Sequence, residues 1–571
     1  MTESTTGSAI DSATNLASLM LGRAAAWPGR PMLRFHDGQG WQGLAWGEFA
    51  ARVAATAAGL RARGINAGER VVIVSENRPE FLIAEVALMA LRAVPVPAYT
   101  VNSTADHAHV LADSGAVAAI VSTPALATRL REAGALALLV QIDGAPVPGA
   151  IAWQALLEGQ PRDPAPLAQE AASIPADTLA CLIYTSGTSG LAKGVMLPHR
   201  CLLANCRSAL VLVESLRIGP ADLYLSFLPA AHSYEHLVGG FFLPALGVEI
   251  AYARGVEHIA ADMLAVRPSL LTVVPRLLEV IRTRILAQLA REKPWRQRLF
   301  HHTIAIGRKR ADGERLGLVE WLADPVLERL VRRRVRARFG GRFRAAMSGG
   351  ARLDPQVGNF FRGLGIALMQ GYGQTEAGPV ISANAAHATR IETVGQPLQG
   401  VALRIAADGE ILVRGNLVMD GYWNRPRETA EALRDGWLHT GDIGVLEADG
   451  YLRITDRKKD IIVLSGGENV SPALVEAALL TRPEIAQAVV FGDGMAALGA
   501  LVVAADGVEE AAIGPAIAAV NRGLAAPDRV RRHILVPAFT VENGLLTATQ
   551  KVRRHQALAA HAPATRQPAL T

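Results

Sequence analysis

Between Thr185 and Lys193 the chain reads TSGTSGLAK, in which six consecutive residues, Thr185, Ser186, Gly187, Thr188, Ser189 and Gly190, are glycine, serine or threonine. Such a loop offers backbone N–H groups and hydroxyls to an anion, lets oxygen atoms approach closely at the glycines, and gains a positive charge from Lys193. Phosphate binding is the chemistry it suits. The P-loop pattern GxxxxGK[ST] does not fit, because Ala192 stands before the lysine and Gly194 after it. Taken alone, the stretch is also what a flexible turn looks like.

A loop of this kind needs a rigid element on each side. The preceding ACLIY is an apolar strand ending at Tyr184, and similar short runs recur at RVVIV, AAIVST and LLTVV, each followed or preceded by helical spacing. In WGEFAARVAATAAGLRARG, Phe49, Val53 and Leu60 share one helical face and Gly64 is the stop signal. This alternation over the first 460 or so residues predicts an α/β fold with largely buried strands. After Trp437 the texture changes to short strands separated by Asp-Gly and Gly-Gly turns, followed by a smaller α+β unit. The boundary is expected at the charged run DRKKD, giving domains 1–456 and 457–571.

Composition narrows the setting. A chain of 571 residues, half hydrophobic and 19% charged, is long enough for two or more folded units. Its polar start has no secretory pattern and no window supplies a membrane-spanning run, so a cytoplasmic protein is expected. Cys181, Cys201 and Cys206 have no metal spacing with His199 or His232 and are expected as small core residues. The net charge of +6 is uneven: residues 332–344, RRRVRARFGGRFR, hold seven arginines and no acid. A solvated helix face with local partners is one reading, and a surface at the inner face of an anionic membrane is another. Nucleic acid is not expected, since no aromatic stacking set accompanies the arginines.

Six further segments carry chemistry-bearing residues: FLPAAHSYEH (227–236), SGGARL (348–353), GYGQTE (371–376), GWLHTGD (436–442), DRKKDIIVLSGGENVSP (456–472) and GLLTATQKVRR (544–554). In this order and at these separations the sequence closely resembles the adenylate-forming superfamily, in particular its long-chain fatty-acyl-CoA synthetases. The resemblance runs from about residue 15 to about residue 556. Two departures stand out: Ala192 and Ala548 replace prolines common in the family, which should loosen loops without removing a functional group. It implies a large multi-layer N-terminal domain with mixed, largely parallel sheets and a small mobile C-terminal α+β domain.

The implied reaction has two halves. A carboxylate attacks the α-phosphate of ATP to give an acyl adenylate and pyrophosphate, and the thiol of CoA then displaces AMP. Both halves move negative charge, which calls for cations, aligned donors and a metal. By resemblance, the loop from Thr185 to Lys193 holds the β and γ phosphates, and Thr185 and Glu376 coordinate Mg²⁺. Tyr372 stacks on adenine beside Gly373, Thr375 meets the α-phosphate, and Gly349 and Gly350 form the wall at the adenine edge. Asp442 takes the ribose hydroxyls and Arg457 a ribose or phosphate contact. Lys551 is the mobile lysine that bridges carboxylate and α-phosphate, and His232 borders the acyl carboxylate and the path of the thiol. Lys459 lies at the hinge, and Gly466 and Gly467 face the pantetheine arm after domain rotation. The expected partners are a fatty acid and CoA, with ATP and Mg²⁺ as cofactors.

A fatty-acyl-AMP ligase serving a carrier protein is the nearest alternative. No extra segment separates SGGARL from GYGQTE and no carrier-like domain follows Lys551, which favours CoA. A nucleotide-binding regulator without catalysis is the other alternative, and the joint presence of Glu376, Asp442, Arg457 and Lys551 argues against it.

Overall fold

The computed structural model of the chain describes residues 9–185, 191–547 and 551–565. Ser186, Gly187, Thr188, Ser189 and Gly190 of the glycine-rich loop, and Ala548, lie outside the described residues.

The apolar runs become strands of two largely parallel sheets. The larger has nine strands, and six of them, from Ala367–Gly373 through Ala345–Ser348, Leu270–Val273, Leu223–Ser226 and Glu249–Tyr252 to Pro31–His36, are mutually parallel, with antiparallel strands at both edges. The second is a five-stranded parallel sheet around Arg70–Val74, Val94–Ala98 and Ala118–Val121. Strands covered on both faces can be apolar throughout, and Val71, Val72, Ile73 and Val74 are all fully buried. The helix Trp46–Ala62 packs Phe49, Val53 and Leu60 inward, and Gly64 after it takes φ +84°, a left-handed value that favours glycine. The three cysteines are buried and unpaired with one another. Among the described residues no helix is long and apolar enough to cross a membrane.

The change to antiparallel structure begins earlier than the texture change at Trp437. A five-stranded antiparallel sheet starts at Ala402–Ile405 and includes Glu410–Arg414, Trp437–Leu446 and Leu452–Arg457. After it, the hairpin Ile462–Val463 with Asn469–Val470 leads to a three-stranded sheet of Ile485–Phe491, Leu498–Ala504 and Val530–Leu535. The helices Pro472–Leu479 and Ile513–Asn521 bury Val475, Leu479, Ile513 and Ile517 in a core cluster of this smaller unit. The chain is thus α/β in its large body and α+β at its end.

The arginine run is not one solvated face. Arg332 is buried, pairing with Asp324 at 2.6 Å and donating to the carbonyls of Gly363 and Thr303. Arg336 pairs with Glu328 and Arg344 with Asp222, so much of the run joins helices and strands together. Burial of Arg332 is tolerated because a carboxylate and two carbonyls meet its guanidinium.

Candidate active site

One cleft of ≈ 1840 Å³ lies over the carboxyl ends of the parallel strands and is lined by both units. Parallel sheets present their ligand crevices there because the strand ends release loops with unpaired backbone groups. Ala345–Ser348 ends in Gly349 and Gly350, and Ala367–Gly373 runs on into Thr375 and Glu376. Side chains at two of these glycines would collide with neighbours. A Cβ on Gly349 would stand 3.1 Å from the Tyr234 ring, and one on Gly373 would overlap the carbonyl oxygen of Pro379.

On the phosphate side, Thr185 ends the strand Leu179–Thr185 directly opposite Lys193, which opens Lys193–Pro198. The two residues therefore close the neck of the glycine-rich loop. His109 Nε2 donates to the carbonyl of Ala192 at 2.7 Å, tethering the loop at the position where the resembled family has proline. Lys193 Nζ sits 4.8 Å over the Tyr422 ring, and the Tyr422 hydroxyl donates to Glu376 Oε1 at 2.8 Å. Among the described residues Glu376 Oε2 has no protein donor and faces the cleft. No group of three His, Cys, Asp or Glu there could hold a metal by itself. A cation at Glu376 must complete its shell with phosphate oxygens and water, which suits Mg²⁺, a hard ion that keeps waters and takes few protein ligands.

On the opposite wall, Asp442 and Arg457 are cross-strand partners in the antiparallel sheet. Arg457 Nε donates to Asp442 Oδ1 at 3.1 Å, and the Tyr372 hydroxyl donates to Oδ2 at 2.7 Å. Thr375 is buried, with its hydroxyl 2.9 Å from that of Ser233, next to His232.

His232 caps the helix Ser233–Leu237, its Nδ1 accepting from the Tyr234 N–H at 3.3 Å. Nε2 therefore carries the hydrogen in the neutral ring. Burial, reinforced by the charge of Lys551, lowers the imidazolium to about 4, so His232 is a neutral donor at pH 7. Lys551 is held by a short clasp: its N–H donates to Thr547 Oγ1 at 3.0 Å and its carbonyl accepts from the Thr547 N–H at 2.7 Å. Protein surrounds the lysine although water in the cleft still reaches it. That desolvation lowers its ammonium to about 8, with Arg457 lowering it further and Asp442 opposing.

Beneath the cleft, Glu235 accepts from Ser226 Oγ at 2.6 Å, Tyr224 OH at 2.5 Å and Thr272 Oγ1 at 3.0 Å. Complete burial raises its carboxyl to about 7 against those three donors. His236, from the same helix, contacts Glu85 at 2.5 Å in the core. Glu235 and His236 thereby fix the helix that His232 caps to two strands, Leu223–Ser226 and Leu270–Val273, and to the helix Pro79–Ala90. The same cleft is also lined by Leu212, Val213, Leu216, Val238, Phe242 and Leu243. These side chains form an apolar arm of the lining that suits an alkyl chain.

Residues 22–423 match the AMP-binding enzyme family, and residues 459–566 match the AMP-binding enzyme C-terminal domain. The chain belongs to the AMP-binding enzyme family. Among curated relatives of this AMP-binding enzyme, the long-chain-fatty-acid–CoA ligase FadD15 of Mycobacterium bovis is 37% identical over 470 residues, covering 81% of this chain and 77% of that protein. Long-chain-fatty-acid–CoA ligase 1 of Cavia porcellus is 30% identical over 470 residues, covering 76% and 70%. In fold, the chain is similar to the anthranilate CoA ligase AuaEII in complex with anthranoyl-AMP, with a TM-score of 0.75 at 20% identity over 98% of this chain and 100% of that one. It is also similar to the O-succinylbenzoate CoA synthetase MenE of Bacillus subtilis in complex with ATP and magnesium ion, with a TM-score of 0.71 at 22% identity over 94% and 98%.

In this AMP-binding enzyme, Thr185, Lys193, His232, Gly349, Gly350, Tyr372, Gly373, Thr375, Glu376, Arg457, Lys459 and Lys551 all line the one cleft, with Asp442 held against it by Tyr372 and Arg457. Gly466 and Gly467 do not line it: they form the exposed turn between Ile462–Val463 and Asn469–Val470. Sequence reasoning missed Tyr422, His109 and Glu235. Glu235 lies inside FLPAAHSYEH, but Ser233, Tyr234 and His236 flank it in the short helix, so nothing local marks it as a buried carboxylate.

Proposed function

We propose that this AMP-binding enzyme is a long-chain fatty-acid–CoA ligase that forms acyl-AMP and pyrophosphate from ATP and a fatty acid, then acyl-CoA and AMP. The observation that carries most weight is the convergence of Lys551, Arg457 and His232 on one cleft, with an apolar arm in its lining. It supplies cations where phosphate charge would lie, a neutral donor where a carboxylate would lie, and apolar walls beyond.

In the first half, the Thr185–Lys193 loop holds the β and γ phosphates, Thr375 meets the α-phosphate and Asp442 takes the ribose. Tyr372, whose hydroxyl is tied to Asp442, offers its ring to adenine against the glycine wall at 349 and 350. Lys551 and the His232 Nε2–H draw the carboxylate towards phosphorus. A carboxylate oxygen bonds to the α-phosphorus as the bond to pyrophosphate breaks. Mg²⁺, held by Glu376 and Thr185, supplies neutralisation of phosphate charge.

In the second half, the thiol of CoA gives up its proton to water, its sulfur bonds to the acyl carbon, and AMP leaves with the electron pair of the broken C–O bond. Lys551 has to withdraw first, so the mobile domain, expected over 457–571, rotates about Lys459 against the body of residues 1–456, with Arg457 and Lys458 staying on the body side. Lys458 Nζ lies 2.6 Å from Asp408 and 3.0 Å from Glu410, which supports a pivot just beyond it. Rotation turns Gly466 and Gly467 towards the pantetheine arm. The same reading puts the working enzyme in the cytoplasm, at the inner face of a membrane from which fatty acid is drawn.

The test is fatty-acid-dependent pyrophosphate release, run with and without CoA, with acyl-CoA and acyl-AMP identified by mass. Acyl-AMP that accumulates and is not consumed by CoA would point to a carrier-protein acceptor. Nucleotide binding without pyrophosphate release would leave only the regulatory alternative.

A further inference from the structure

The segment from Leu318 to Ala337 is a continuous helical rod with one turn of wider pitch at Glu328–Arg332. Its inner face buries Asp324, Leu327 and Arg332, and every acid on the rod is used inward or along its side: Glu320 with Lys309, Asp324 with Arg310 and Arg332, Glu328 with Arg336. The outer face carries no acid. It exposes Trp321 (63%), Leu322 (60%), Val326 (54%) and Leu330 (44%), and one turn further on Arg329, Arg333 and Arg334, none of which has an ion-pair partner among the described residues.

Solvent-facing helix positions are ordinarily polar, and an exposed apolar stripe costs free energy unless something covers it. What covers this one must accept both halves of the face. Unpaired guanidinium groups call for anions spread over a surface, and the adjoining indole and aliphatic side chains call for a shallow apolar layer. The headgroup and upper acyl region of an anionic bilayer offers both at the spacing of one helix. We propose that the outer face of residues 318–337 docks on an anionic lipid surface. Trp321, Leu322 and Val326 enter the interfacial layer, and Arg329, Arg333 and Arg334 engage headgroup phosphates. This deepens the membrane placement proposed above by naming the surface that makes the contact, and it uses no residue of the cleft, so the ligase chemistry does not depend on it.

Co-sedimentation of the full chain with vesicles of phosphatidylcholine alone, and of phosphatidylcholine mixed with phosphatidylglycerol, tests it without turnover, so its failure leaves the ligase reading intact. Binding is expected only to the anionic vesicles and should weaken as salt rises. Each cation near such a surface contributes about fivefold, so the triple variant R329Q/R333Q/R334Q should bind on the order of 100-fold more weakly. W321S/L322S should also weaken binding, with the salt dependence retained. Both variants alter exposed side chains only, and their pyrophosphate release on a water-soluble acid should equal that of the parent. Equal vesicle binding by parent and both variants, or no binding by the parent, overturns the proposal. So does a dimer in light scattering that W321S/L322S converts to monomer, which would make the face a contact between copies.

Discussion

Asp442 and Arg457 stand opposite each other on neighbouring antiparallel strands, joined by a 3.1 Å hydrogen bond from Nε to Oδ1, while Tyr372 holds the other carboxylate oxygen. Fifteen residues apart in sequence, they meet because the turn at Asp449 and Gly450 folds one strand back on the other. The carboxylate is thus fixed in orientation before any ribose arrives. Asp442→Asn should keep the shape of the site but lose its charge-assisted bond to Arg457. We expect KM for ATP to rise roughly 10- to 100-fold in pyrophosphate exchange, with the apolar arm's preference among acids unchanged.

Lys551 gives a prediction in pH. Partial desolvation by the surrounding protein and the neighbouring Arg457 lower its ammonium to about 8, and the charged form is the one that can draw a carboxylate to phosphate. Its useful charge is present below that value and lost as pH rises through it. The kcat/KM for adenylation should therefore fall on an alkaline limb near pH 8. Lys551→Arg keeps its charge, so whatever activity it retains should show no such limb. Lys551→Ala should lower adenylation on the order of 10²- to 10³-fold, yet consume supplied acyl-AMP and CoA at nearly the parent rate. A variant that failed equally in both halves would contradict the assignment of Lys551 to the first.

Glu235 gives a prediction in stability. Its carboxyl is raised to about 7 by burial, so between the unfolded value of 4.5 and about 7 the folded chain holds a proton that the unfolded chain does not. Stability must then fall as pH rises through this window, the reverse of a salt-bridged carboxylate. Glu235→Gln cannot ionise. Its melting temperature should change less between pH 5 and pH 7.5 than the parent's, by roughly 1 °C for each kcal/mol involved in so large a domain. Calorimetry at the two pH values reads this, and an identical pH response in both proteins would contradict a protonated Glu235.

The parts of the site that share a strand end or a single turn were legible in the sequence. GYGQTE, SGGARL and TATQK were legible through the family resemblance, each being one short local segment: a glycine pair alone more often marks a turn, whereas here the glycines end strands at the cleft, and Thr547 and Lys551 form their clasp within five residues. Tyr422 was not legible. It reaches Glu376 only because Gly421–Tyr422 pairs with Val195 and Met196, over two hundred residues away, and nothing local encodes that pairing. Arg332 was misleading for the same reason: in the sequence it is one of a run of arginines, while in the fold Asp324 and two carbonyls enclose it. The early start of the antiparallel sheet at Ala402 was hidden because its first strand, Ala402–Ile405, alternates only between exposed and half-buried positions.

The pivot can be separated from the chemistry. Lys458 is tied to Asp408 and Glu410, and its N–H donates to the Gly441 carbonyl at 2.8 Å, so the backbone is anchored to the antiparallel sheet up to that point. The proposed rotation would then fall on Lys459. Proline there fixes φ, so Lys459→Pro should leave acyl-AMP formation nearly unchanged and slow acyl-CoA formation roughly tenfold or more. Rapid-quench measurement of the two half-reactions distinguishes this from a general loss of folding, which would lower both together.

On the proposed reading the apolar arm sets the preferred acid. Leu212, Val213, Leu216, Val238, Phe242 and Leu243 all line it, and each methylene that moves from water into such walls gains about 0.8 kcal/mol, close to fourfold in kcat/KM. The increase should continue with chain length until the arm is full and then stop. Val213→Trp places an indole across the arm while leaving Lys551, His232 and the phosphate loop untouched. Its profile should climb with the same slope for short acids and break at a shorter length than the parent's. A panel of saturated acids assayed with CoA shows the break directly, and an unshifted break would mean that the alkyl chain takes another route out of the cleft.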